Sequence, residues 1–166
     1  MLGSAKQRIL AVSATLAVLG ATLPLIPTAR AQSPQAALGL VGAWSVTVTL
    51  TDCNGNVKGT FPSILMFSRG GTVTETTFNP AFQPGQRGTG LGVWWLNDDG
   101  TYGGSDVAFI QYSAGMFTAG TQEITHTIKL NRHASEWSDN ATVQFYDIAH
   151  NKLAHACATA KAVRLQ

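Results

Sequence analysis

The stretch LAHACATAKAV, residues 153–163, places an alanine at every second position from Ala154 to Ala162, with His155, Cys157, Thr159 and Lys161 between them. Alternation with a period of two marks a β-strand whose two faces meet different surroundings. The alanines therefore point to an interior, and Cys157 points away from it. The segment GAWSVTVTLTDC, 42–53, repeats the pattern: Trp44, Val46, Val48 and Leu50 form the apolar set, the intervening Ser and Thr residues the polar one, and Cys53 falls on the polar side. Two extended segments at opposite ends of the folded chain thus offer one cysteine each on a common face. Laying them antiparallel with Cys53 directly opposite Cys157 predicts a disulfide between them, and puts Arg164 opposite Val46, diagonal to Trp44. Such a bridge contributes roughly 2 to 4 kcal/mol.

Between these segments, runs rich in Val, Ile, Thr, Phe, Tyr and Trp recur between Gly, Asn and Asp turn signals, without useful helical periodicity. The pattern predicts strands near 43–52, 62–68, 72–78, 91–97, 101–112, 120–131, 139–148 and 152–165. Arg69-Gly70-Gly71-Thr72, Asn97-Asp98-Asp99-Gly100 and Ala149-His150-Asn151 read as tight turns. Short links make sequence neighbours spatial neighbours, and pairing the last strand with the first removes both free edges. The expected fold is all-β, a closed eight-stranded antiparallel up-and-down barrel. Ser33-Pro34 ahead of Gln35-Ala36-Ala37-Leu38 adds one short helical turn before the first strand.

At the start of the chain, Lys6 and Arg8 precede a mostly apolar run from Ile9 to Ile26, which ends at Ala29-Arg30-Ala31. A charged start, an apolar middle and an A-x-A site describe a secretory signal peptide, with cleavage expected after Ala31. Residues 1–31 are thus assigned to export and 32–166 to a single barrel domain, secreted or periplasmic, with no stable membrane insertion after cleavage. Cleavage removes Lys6, Arg8 and Arg30, leaving eight basic residues against nine acidic ones, a net charge of minus one. Without basic runs, nucleic acid is not an expected partner. Export also puts the two cysteines where a disulfide persists.

Gly42-Ala43-Trp44 at the start of the first strand, eight meandering strands, and a basic residue returning from the last strand toward that Trp resemble the lipocalin-type (calycin) barrel. That resemblance implies an Arg packed over the Trp at the closed end. The Thr-Asp-Tyr type motif of many lipocalins is absent. The eight-stranded allene oxide cyclase-like barrels are an equally close comparison, and PAFQPGQRGTGLGVW with the late CATA is similar to small uncharacterised exported bacterial proteins.

The glycines of NPAFQPGQRGTGLGVWW, 79–95, do not form a phosphate cradle: Gly88, Gly90 and Gly92 give G-x-G-x-G leading into a strand, where a dinucleotide loop needs G-x-G-x-x-G leading into a helix. Asn79 to Gly90 is long for a hairpin link and is placed over one mouth of the barrel. Arg87 at its tip faces either solvent, the commoner case, or an anionic ligand group. In strand six, Ile124, His126, Ile128 and Leu130 share a face, so His126 points inward, as a hydrogen-bonded core residue, a polar anchor or a general base. Taking Gly70-Gly71 as a two-residue turn sets Glu75 opposite Met66. An inward Glu75 would pair with His126 as acid and base, whereas an outward one is a surface charge, the reading the sequence favours. Trp94 and Trp95 face opposite sides, and periodicity does not choose which is inside. Tyr102, Asp106 and Tyr112 share one face of strand five, again undecided.

The residues point first to a barrel that binds a small, largely apolar molecule through Trp44, Val46, Val48, one of Trp94 and Trp95, Tyr112, Phe145 and Arg87, with His126 as the polar anchor. A cyclase or isomerase using His126 and Glu75 is the alternative, and a ligand-free protein-interaction barrel the third. His126, His133, His150 and His155 lack metal-ligand spacing, so no metal or other cofactor is expected.

Overall fold

The structure, a computed structural model, describes residues 39–165. The expected signal peptide and the helical turn at 33–38 lie outside the described residues. Eight strands run in order: β1 (Gly42–Thr51), β2 (Val57–Phe67), β3 (Thr72–Thr77), β4 (Gly90–Leu96), β5 (Tyr102–Ile110), β6 (Gly120–Leu130), β7 (Glu136–Asp147) and β8 (Lys152–Arg164). Each pairs antiparallel with the next, and β8 pairs with β1, closing the barrel. Strand β2 starts five residues earlier than its composition predicts, and β7 three earlier, at Glu136. The added stretches, Val57-Lys58-Gly59-Thr60-Phe61 and Glu136-Trp137-Ser138, mix polar and small residues with the apolar ones, so hydrophobicity alone does not mark them as strand.

The first and last strands present their expected faces. Trp44 and Val46 of β1 and Ala158, Ala160 and Ala162 of β8 are buried, and Thr159 and Lys161, which alternate with these alanines, are exposed. The disulfide Cys53–Cys157 is formed, with Cα atoms 4.8 Å apart. Its register differs from the expected one by two residues: Thr51, not Cys53, lies opposite Cys157, and Arg164 lies opposite Trp44 rather than Val46. Strand β1 ends at Thr51, where the Asp52 carboxylate accepts from the Asn54 and Asn56 amides, and Cys53, at φ 65°, turns back to reach its partner from outside the ladder.

One end of the barrel is filled. Trp44, Phe67, Trp94, Tyr102 and Trp137 pack edge to face or tilted, with ring centroids 5.9 to 6.3 Å apart, among Leu40, Ile128 and Ala162. Arg164 seals this plug. Its guanidinium lies 4.1 Å from the Trp44 ring and donates to the carbonyls of Gly39, Val41 and Ala134 at 2.6 to 2.8 Å, and Trp44 Nε1 donates to Leu40 O. Gly42 explains the first letter of the Gly-Ala-Trp opening: its φ is +134°, and a Cβ there would stand 2.5 Å from Arg164 Nη1.

Hydrophobicity misleads on the β2–β3 side. Ile64 and Met66 face outward and are about half exposed, alongside exposed Leu91, Val93, Val107 and Phe109 on β4 and β5. An outer face this apolar removes the contrast from which register is read. Leu65, not Met66, lies opposite Glu75, because the turn holds three residues and is closed by Ser68 N donating to Thr72 O.

Candidate functional site

Above the plug the barrel is hollow. A cavity of about 400 Å³ opens at the end away from Arg164, walled by Val46, Val48, Leu50, Ile124, Val143 and Phe145, with Ala156, Ala158 and Ala160 along β8. The alanine run creates it. Methyl groups reach a short way inward from β8, and the aromatic rings that fill the barrel belong to the lower rows.

One polar cluster interrupts the apolar wall. His126 on β6 lies between Asp139 on β7 and Asp106 on β5: Nδ1 donates to Asp139 Oδ2 at 2.6 Å and Nε2 to Asp106 Oδ2 at 2.9 Å. All three are at least nine-tenths buried. Burial alone would depress the imidazolium, but hydrogen bonds and charge from the two aspartates more than offset it, and the ring is pushed up to about 10. His126 is thus a buried cation at neutral pH. Asp139 Oδ1 also accepts the Thr127 amide at 2.9 Å, which fixes the carboxylate.

Beside this triad, Glu75 on β3 faces inward and is 5 % exposed, so the surface-charge reading is corrected. Its Oε2 binds Arg87 Nη2, and its Oε1 accepts from Ser63 Oγ at 3.3 Å. Burial raises the Glu75 carboxyl, Arg87 pulls it down, and Asp106 adds to the rise. The expectation of a solvated Arg87 is likewise corrected: its side chain is 4 % exposed and reaches into the barrel. Arg87 Nε donates to Gln122 Oε1, and Nη1 to Gly88 O at 3.1 Å.

The glycines of the 88–92 run now have a physical role. Gly90 and Gly92 lie on the inner row of β4 with Trp94. A Cβ on Gly90 would come within 2.6 Å of Asp106 Oδ1 and 3.1 Å of Glu75 Oε2, and one on Gly92 within 1.9 Å of Ser105 O and 2.7 Å of Asp106 Cβ. They leave space for carboxylates inside the barrel. The preceding loop lies over the mouth, where Phe82 stacks on Phe117 at 3.8 Å and Phe117 leans on Phe145 at 5.3 Å. Gln86 ties the loop down: fully buried, it donates from Nε2 to Tyr112 O and Ala114 O at 3.0 Å and accepts the Gln83 amide.

Of the residues singled out in the sequence, Val46, Val48, Phe145, Arg87, Glu75 and His126 border the cavity. Trp44 and Trp94 belong to the plug, and Trp95 is outside, 40 % exposed over Gly103. Tyr112 also lies outside the barrel, its hydroxyl donating to Pro84 O at 2.8 Å, so it supports the mouth loop rather than the wall. Asp106 and Tyr102 are buried inward, which settles the face of β5. Sequence reasoning did not single out Asp139 or Gln122. Both were within reach of the alternation rule: Gln122 precedes Ile124 and His126 on the inner row, and Asp139 shares its row with Trp137, Ala141, Val143 and Phe145. Among the described residues, no group of three or more His, Cys, Asp or Glu side chains is arranged to hold a metal ion. No protein-family model matches this chain, and no curated protein matches it in sequence.

Proposed function

We propose that this barrel binds one small, largely apolar molecule in its open half, and that it does so outside the cytoplasm. The observation that carries the reading is the cavity itself: about 400 Å³, walled mostly by aliphatic and aromatic side chains, with one polar cluster on its inner surface. A volume of that size takes roughly 15 non-hydrogen atoms at the packing density of protein interiors. The disulfide fits an oxidising compartment, and the sequence before residue 32 has the form of an export signal. The closed eight-stranded barrel with Arg164 over Trp44 supports kinship with lipocalin-type barrels.

The cluster favours binding over acid–base chemistry. Both His126 nitrogens donate to carboxylates, so the ring has no free nitrogen with which to take a substrate proton. Displacement of a hydrophobic fluorescent probe by apolar molecules is the test, together with native mass spectrometry of protein from its own host. Ala158→Phe, which puts a ring into the cavity from a buried wall position, should abolish probe binding while leaving the β-sheet circular dichroism unchanged. Equal probe binding by Ala158→Phe would remove the cavity as the site.

A further inference from the structure

Hydrogen-bonding capacity in the polar cluster is unevenly used. The carboxylate oxygens bordering the cavity are engaged: Glu75 by Ser63 and Arg87, and Asp139 by His126 and the Thr127 amide. Asp106 keeps an unpartnered Oδ1, but it packs against Gly90 and does not border the cavity; Thr77 Oγ1 and Trp137 Nε1, on residues that do border it, are also without a partner but are sealed by their neighbours. Gln122 is different. It is 6 % exposed and borders the cavity, and Arg87 Nε donates to its Oε1. That contact fixes which way the amide points, because a guanidinium N–H needs the oxygen and not the nitrogen. Gln122 Nε2 is left without a hydrogen-bond partner among the described residues, on a side chain bordering the hollow. Unlike Asp106 Oδ1, this N–H is not sealed off from the hollow, and a bound molecule that brings an acceptor gains a hydrogen bond there.

Charge then limits what the acceptor can be. Three carboxylates, Glu75, Asp106 and Asp139, stand against two cations, Arg87 and His126, each cation already held by a carboxylate. A ligand carboxylate would add a fourth negative group to a dry site where no cation is left unpaired. A ligand ammonium would need several free acceptors, and with the carboxylate oxygens bordering the cavity engaged, the one buried acceptor left there among the described residues is the Thr77 hydroxyl. Resting on the reading of the cavity as a binding site, we propose that its ligand is a neutral apolar molecule with a carbonyl oxygen, held by the Gln122 amide N–H. Arg87 acts on this contact indirectly, by orienting the amide.

Four competitors of one chain length test this against a hydrophobic fluorescent probe at about pH 8: decyl methyl ketone, dodecane, dodecanoate and dodecylamine. The ketone should displace the probe at about tenfold lower concentration than each of the others. Gln122→Glu keeps an acceptor for Arg87 but removes the N–H, so the ketone should fall to the level of dodecane. Gln122→Met gives the same outcome without adding charge, and the ketone-to-dodecane ratio is taken within each variant, so that a change in its probe affinity cancels. If dodecanoate, dodecylamine or dodecane matches the ketone, or if the ketone keeps its advantage in both variants, the inference is overturned while the binding reading stands. If no competitor displaces the probe and the probe itself does not bind, the binding reading falls and takes the inference with it.

Discussion

Replacing His126 with glutamine takes the cation from between Asp106 and Asp139 and leaves two carboxylates, 1 % and 4 % exposed, facing a neutral amide. Breaking a buried ion pair by removing one partner costs about 3 to 5 kcal/mol. In a domain of this size, about 4 °C of melting temperature corresponds to 1 kcal/mol, so the variant should melt about 12 to 20 °C below the parent at neutral pH. The pH dependence carries the sharper signature. His126 is raised from 6.5 to about 10 in the folded protein, so its contribution is complete below the unfolded value and is lost as pH climbs through the folded one. Glu75, also raised by burial, shifts stability in the same direction at lower pH. The gap between parent and His126→Gln, followed by calorimetry, should therefore be widest at and just below pH 6.5, shrink through neutrality and close toward pH 10. A triple variant with Asp106→Asn and Asp139→Asn added should regain part of the loss, since no unpaired charge remains. A melting temperature within about 2 °C of the parent at neutral pH, or a gap unchanged up to the folded value, would refute a cationic His126 held by two aspartates.

Other substitutions probe the frame around the site. Gly42→Ala should cost about 1 to 3 kcal/mol in urea titration, because its Cβ meets an Arg164 guanidinium pinned by three carbonyls, in a backbone conformation that favours glycine. Gly92→Ala should be worse than Gly90→Ala, with more than about 3 kcal/mol lost or no soluble protein, since its Cβ strikes the β5 backbone at Ser105 O whereas that of Gly90 meets only side-chain atoms of Asp106 and Glu75. Equal stability for these two variants would contradict the packing described. The double variant Cys53→Ser, Cys157→Ser should lose about 4 kcal/mol, the bridge spanning a separation of 104 residues, with its probe affinity unchanged because the bridge lies outside the wall.

Sequence alone determined the strand count, the up-and-down order, the cysteine pairing and the inward faces of β1, β6 and β8. These follow from alternation and turn chemistry, which act over a few residues and need no knowledge of the partner strand. Alternation tells which side a residue faces but not its height along the barrel, and height separates plug from cavity. Trp44 and Val48 share one face of β1, yet Trp44 is sealed beneath Arg164 and Val48 walls the hollow. Where both faces of a strand are apolar, as at Ile64 to Phe67, even the side was undetermined, and Glu75 went with it. Only the closed barrel decided that Arg87 folds inward from a loop, and that aspartates on β5 and β7 meet at one imidazole on β6. Those contacts depend on the register and stagger of paired strands, and register is fixed when the whole ring closes, by packing that no single strand contains.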